Sequence, residues 1–166
     1  MSPVVFPIQT ERSELLIRIE AFDLANTLEA DDLPKMGASE VCDVSLLRKS
    51  DYSGVDRKAL RLISKMLFDF MADNPDNIIY FYCDDFNDLP RSGKHMKLSP
   101  QEYRSRLFSA LFADETRRHG AGMYIDDVLS FDVGGENKFI HLIYGTANAD
   151  KAKVLKDAFD KLKAKP

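Results

Sequence analysis

Asp84, Asp85 and Asp88 form an Asp-Asp-x-x-Asp run directly behind an apolar segment, the densest group of chemically able side chains in the sequence. Carboxylate oxygens of this kind suit Mg2+ or Mn2+, and an ion held there would activate water, the chemistry of a metal-dependent phosphodiesterase. Asp126 and Asp127 are the carboxylates that could complete such a site. The same run also reads as a turn, because Asp and Asn side chains bond nearby backbone amides where a strand stops. No His or Glu stands at a metal-ligand spacing, so the turn is favoured and no metal is expected.

Arg91, His95 and Arg104 join the three aspartates as candidate binding residues. His95 lies between Lys94 and Lys97 in a polar stretch and is the most available histidine, yet no nucleophile stands near it in sequence. His119 falls in the last turn of a predicted helix, where a cation favours the dipole. His141 interrupts an apolar strand and reads as a hydrogen-bonded core or interface residue rather than a base. Spatial neighbours do not show in a sequence, so a Ser/His/Asp or Cys/His site is left without support, and no catalytic residue is assigned. Neither G-x-G-x-x-G nor a Walker lysine motif is present, and no cofactor is expected. Arg91, Arg104, Arg106, Arg117 and Arg118, with Lys94 and Lys97, make one region locally basic. A solvated helix face accounts for it better than a small anion or RNA segment. Cys42 and Cys83 sit in strand-like apolar contexts and read as buried, reduced thiols.

The elements that must position these residues begin with strands. Val4, Phe6 and Ile8 alternate, and Pro3 and Pro7 place that strand at an edge. From Glu14 to Leu24, Leu15, Ile17, Ile19 and Ala21 share one face, and Phe22 and Leu24 reverse the phase as at a bulge or strand end. Residues 26–39 read as a loop, followed by a strand from about Val41 to Leu47. Ser53, three residues before Asp56, is the expected cap of a helix running to about Asp73, with Ala59, Leu60, Ile63, Met66, Leu67, Phe70 and Met71 as its apolar stripe. Asn74-Pro75 ends it. The unbroken apolar run Ile78–Cys83 fits a strand covered on both faces. Residues 84–98 form a polar loop.

Ser99-Pro100-Gln101-Glu102 is the best local signal in the chain: an N-cap serine, proline at the first helical position and glutamate at the third. The helix it opens runs to His119, before Gly120, with Tyr103, Leu107, Phe108, Leu111 and Phe112 on one face. Met123, Ile125, Leu129, Phe131 and Val133 share a strand face broken only by Asp127. Gly134–Asn137 makes the turn, and Lys138 to Tyr144 returns as an apolar strand. A final helix from about Asn148 to Lys163 buries Ala152, Leu155, Ala158, Phe159 and Leu162. The order β-β-β-α-β-α-β-β-α predicts a single α+β domain on one largely antiparallel sheet, with a helix on each face of the strand around Tyr80. Ile63, Phe70, Tyr80, Phe108, Phe112, Phe131, Ile143 and Phe159 are its expected core.

Composition narrows the function classes. With 23 Lys and Arg against 27 Asp and Glu, the 166-residue chain carries a net charge of −4, which argues against broad electrostatic binding to nucleic acid. No apolar run reaches the length of a membrane span, and Met-Ser-Pro-Val-Val-Phe has neither the basic nor the apolar region of a secretory signal, so a cytoplasmic location is expected.

The block Asn74-Pro75-Asp76-Asn77-Ile78-Ile79-Tyr80-Phe81-Tyr82-Cys83-Asp84, followed by Tyr103-Arg104-Ser105-Arg106-Leu107-Phe108, resembles a group of uncharacterised bacterial proteins. Those proteins place an Asn-Pro-x-Asn turn before an apolar strand ending in Cys-Asp, then an Arg-x-x-Leu-Phe helix. The resemblance covers less than a third of the chain and implies no activity. The run of elements from residue 41 to 144 is similar to the second half of the acetyl-coenzyme-A-dependent N-acetyltransferase fold. In that family a Gln/Arg-x-x-Gly-x-Gly/Ala loop before the first of these helices holds the pyrophosphate. Here the stretch Arg48–Asp56 has one glycine, Gly54, and Asp51 and Asp56 would repel phosphates. The expected function is therefore a non-catalytic protein-binding or regulatory module, with another protein as partner and Tyr52, Phe86 and Tyr124 as aromatics in or beside loops that could anchor it. The enzyme alternatives are an acyltransferase-like domain with a degenerate coenzyme loop and the phosphodiesterase above.

Overall fold

The computed structural model describes residues 2–37, 39–49, 56–82, 99–119 and 122–164. Strands β1 (Val4–Gln9), β2 (Glu14–Ala21), β3 (Val41–Arg48), β4 (Ile78–Tyr82), β5 (Tyr124–Val133) and β6 (Glu136–Gly145) form one sheet in the order β1-β2-β3-β4-β6-β5. The α-helices among the described residues are α1 (Arg57–Asp73), α2 (Pro100–His119) and α3 (Ala149–Ala164). The α+β class and the order of strands and α-helices follow the expectation, with 3-10 turns at Leu33–Met36 and Thr146–Asn148 in addition.

The sheet itself is mixed. β3 and β4 run parallel, joined by α1 as the crossover that parallel neighbours require, while the other neighbouring pairs are antiparallel. β6 lies between β4 and β5, so the β5–β6 hairpin meets the rest of the sheet through its second strand.

Both faces are covered, as the unbroken apolar run at β4 required. Ile17, Ile19, Val44, Ile79, Phe81 and Ile143 pack beneath Ile63, Leu67 and Met71 of α1 and Phe108 and Phe112 of α2. On the opposite face Val41, Ile78, Leu142 and Tyr144 pack beneath Ala152, Leu155 and Ala158 of α3, with Leu28 and Met36 closing the end. Ile78 and Ile79, adjacent in the chain, are both fully buried because each serves a different face.

Several local expectations shift. α1 is capped by Asp56 rather than Ser53, which lies outside the described residues; the Asp56 carboxylate accepts the Ala59 amide at 3.1 Å. Ser99 does cap α2, accepting the Glu102 amide at 3.1 Å. β2 ends at Ala21, and Phe22 and Leu24 turn onto the α3 side. The hairpin turn is two residues long. Gly134 (φ 62°) and Gly135 (φ 85°) both adopt the left-handed conformation that a type I′ turn demands, and Glu136 and Asn137 already pair within β6. Of the expected core, Ile63, Phe108, Phe112 and Ile143 are buried, whereas Phe70, Tyr80, Phe131 and Phe159 are half-buried. Tyr124 is a half-buried β5 residue whose ring stands edge-on to Phe68.

Candidate functional site

Four polar side chains meet between α2 and the β5–β6 hairpin. Asp126 lies opposite Ile143, and Val128 opposite His141, which fixes Asp126 and His141 on the α2 side of the sheet. Ser105 and Ser109, one helical turn apart on α2, descend onto the same side. His141 Nδ1 lies 2.7 Å from Asp126 Oδ1, and His141 Nε2 lies 2.9 Å from Ser105 Oγ. Ser109 Oγ donates to the second oxygen of Asp126 at 2.7 Å. A carboxylate only accepts, so Nδ1 carries a proton and, in the neutral ring, Nε2 receives the Ser105 hydroxyl. Phe81 and Phe108 flank the imidazole, with the Phe108 ring edge-on to it at 5.0 Å.

The order Ser-His-Asp is that of an activated serine. Its placement is different. Ser105 is 3 % exposed and His141 0 %, and Ser105 sits inside a continuous helix. Both ring nitrogens of His141 and both oxygens of Asp126 are engaged by protein groups. The arrangement gives a buried histidine a full set of partners and pins α2 to the hairpin, as the reading of His141 as a hydrogen-bonded core residue implied.

Asp127 faces the opposite side of the sheet. Tyr144 donates its hydroxyl to Asp127 Oδ2, and Lys156 Nζ of α3 lies 2.8 Å from the same oxygen. Burial pushes the Asp127 carboxyl up, but the Lys156 and Tyr144 bonds outweigh it and hold the group below the ordinary carboxylate range. The bond to Asp127 raises Lys156, while burial and the neighbouring carboxylate raise Tyr144. Through these bonds the cluster ties α3 to the β5–β6 hairpin.

These placements correct one expectation and leave others aside. Asp126 and Asp127 project to opposite faces and cannot together complete a metal site. Asp84, Asp85, Asp88, Arg91 and His95 lie outside the described residues, as do Cys83, Tyr52 and Phe86; Arg104 lies in α2, its side chain likewise outside the description. Among the described residues no group of three or more His, Cys, Asp or Glu is arranged to hold a metal ion. No described helix is long and apolar enough to cross a membrane. His119, in the last turn of α2 as expected, lies 3.3 Å from Glu115.

The start of α1 borders a cleft of about 490 Å3 lined by Thr10, Glu11, Arg12, Asp56, Arg57 and Lys58. Asp56 is fully engaged there. Burial raises its carboxyl, but bonds from Thr10 and Ser13 and from the amides of Ala59 and Lys58 prevail and hold it low. The anion at this helix start is thus one of the chain's own.

The backbone of β5 supplies a further feature. In a two-residue hairpin the residues flanking the turn, Val133 and Glu136, exchange both hydrogen bonds, and the pattern then alternates. Tyr124, Asp126 and Val128 therefore direct their N–H and C=O groups away from β6. Val128 is also 44 % exposed. Sequence reasoning missed this edge, because only the strand order shows that β5 is outermost. No protein-family model matches this sequence, and no curated protein matches it.

Proposed function

We propose that this chain is a non-catalytic protein-binding or regulatory module that takes up an extended segment of a partner along β5. The observation that carries this reading is the contrast between the two edges of the sheet. β1 holds Pro7 at its centre, a residue that blunts an edge by removing a donor. β5 runs for ten residues without proline and, among the described residues, has β6 as its one neighbour. Two of its three aspartates, Asp126 and Asp127, which could guard an edge, are drawn onto the two sheet faces by His141 and by Lys156, and the third, Asp132, lies next to the turn. Strand addition to such an edge is an established mode of peptide capture.

The test is selection from a displayed random-peptide library, followed by amide hydrogen exchange. Selected peptides should slow exchange at Tyr124, Asp126 and Val128. If no selected peptide protects β5, the module reading fails.

A second reading is the acyltransferase-like enzyme, which the run of elements from β3 to β6 favours. Against it stands the Asp56 carboxylate, which occupies the Ala59 amide where a pyrophosphate would be received. Calorimetry with acetyl-coenzyme A should show no binding, and affinity of about micromolar would favour the enzyme over the module.

A further inference from the structure

We infer that the segment received by β5 is a basic, alternating strand that sets cationic residues on the α2 side, opposite Asp126 and Val128, and apolar residues on the α3 side. This rests on the β5 reading above and adds the chemistry of the partner. β5 reads Tyr-Ile-Asp-Asp-Val-Leu-Ser-Phe-Asp-Val, with three aspartates and no cation. Lys156 balances Asp127 on the α3 side. Asp126 and Asp132 have hydrogen-bond donors and no lysine or arginine partner among the described residues.

The alternation of the strand turns this charge into a pattern. A new antiparallel strand paired to the outward groups of Val128 also meets those of Asp126, and its side chain opposite Asp126 projects to the α2 side. A cation there lies beside the carboxylate without breaking its bonds to His141 and Ser109, since each carboxylate oxygen accepts more than one donor. Opposite Val128, two residues along on the same side, the aliphatic stem of a lysine covers the exposed isopropyl group while its ammonium reaches water. On the α3 side the new strand meets Ile125 and Leu129, both half-buried, on either side of the Asp127–Lys156 pair, so the apolar residues of the alternation fall there. A second copy of β5 meets the opposite condition, because its own aspartates would be brought against these. A basic strand is therefore the occupant that the charge pattern fits.

The test uses two blocked octapeptides, one alternating Val with Lys and the other Val with Glu, against the full chain at low and physiological salt. The Val/Lys peptide should slow exchange at the outward amides of Tyr124, Asp126 and Val128 by roughly tenfold, with no change at Ile125 and Asp127, whose amides already face β6. Added salt should weaken the effect, and the Val/Glu peptide should produce none. Val128→Pro should abolish it while leaving the fold intact, because the amide it removes is not used by β6. Equal protection by the two peptides overturns the basic strand. So does protection of these amides at high protein concentration without peptide, which would identify a second copy as the occupant. If library-selected strands protect β5 while neither octapeptide does, the basic occupant falls and the module stands. If nothing protects β5, both fall.

Discussion

Asp126 and Asp127 are adjacent in the chain and bound to opposite faces of one sheet: Asp126 to His141 and Ser109 beneath α2, Asp127 to Tyr144 and Lys156 beneath α3. The period-two alternation of a strand makes this unavoidable. Together the pair fastens a helix to each side of β5. The Asp126 side chain is 11 % exposed and the Asp127 side chain 30 %, so the two fastenings differ in strength.

Asp126→Ala should lower the unfolding free energy by about 2–5 kcal/mol, because it leaves the His141 and Ser109 donors buried without their acceptor. Asp127→Ala, which breaks a more solvated pair, should cost no more than about 1 kcal/mol of ion pairing. Urea unfolding of the two variants makes the comparison. Equal losses would show that the Asp126 network does not secure α2.

Ser105→Ala should cost about 1–3 kcal/mol by leaving His141 Nε2 unsatisfied. In a double-mutant cycle with His141→Phe the two losses should be strongly non-additive, since each variant removes the same bond. Additive losses would mean that the hydroxyl and the ring act separately.

Phe108→Ala should destabilise by about 3–5 kcal/mol, because the ring is 2 % exposed and packs on Phe81 and His141. Phe131→Ala, at the half-buried margin, should cost clearly less. Thermal melts of the pair give the answer, and a neutral Phe108→Ala would place α2 with the wrong face inward.

Asp56→Ala should cost about 1–2 kcal/mol near neutrality through loss of the α1 cap. The Asp56 carboxyl is held below its ordinary value of 3.8, so its stabilisation is complete above that value and disappears as pH falls through the lower folded-state value. The gap in melting temperature between wild type and Asp56→Ala should therefore be constant near neutrality and close in acid. A gap that persists at the lowest pH, where both carboxyl states are protonated, would assign the loss to packing.

Burial, helped by Glu40 and opposed by the Asn77 hydrogen bond, pushes the Cys42 thiol up to about 11. In a Cys83→Ser background, Cys42 should resist thiol reagents at neutral pH until the chain unfolds. Rapid labelling of the folded protein would show that the β3 face opens locally.

Much of this architecture was legible in short-range chemistry. Ser99, Pro100 and Glu102 announce α2 because capping is a contract among residues three apart. Leu15, Ile17 and Ile19 announce the buried face of β2 because the pleat has period two. The start of α1 falls at Asp56 rather than Ser53, since either residue type can cap and the hydrogen bond from distant Thr10 that holds the Asp56 carboxylate leaves no local sign in sequence. The parallel register of β3 and β4 and the insertion of β6 beside β4 depend on pairing across long separations, which local patterns do not encode. For the same reason Ser105 and Asp126 show no sign in sequence of meeting at His141, although the polar interruption of β6 by His141 marked that a partner was needed.

The interior position of β6 also orders events on the ribosome. β1 to β4 emerge first, and until the hairpin has been made, β4 ends the nascent sheet with one flank unpaired. That flank reads Ile-Ile-Tyr-Phe-Tyr, with no charge or proline to discourage pairing with another chain. Synthesis that stalls between β4 and β6 thus leaves a sticky intermediate. The tight two-glycine turn is the feature that shortens this interval, because it lets β5 and β6 zip together locally and arrive as one piece.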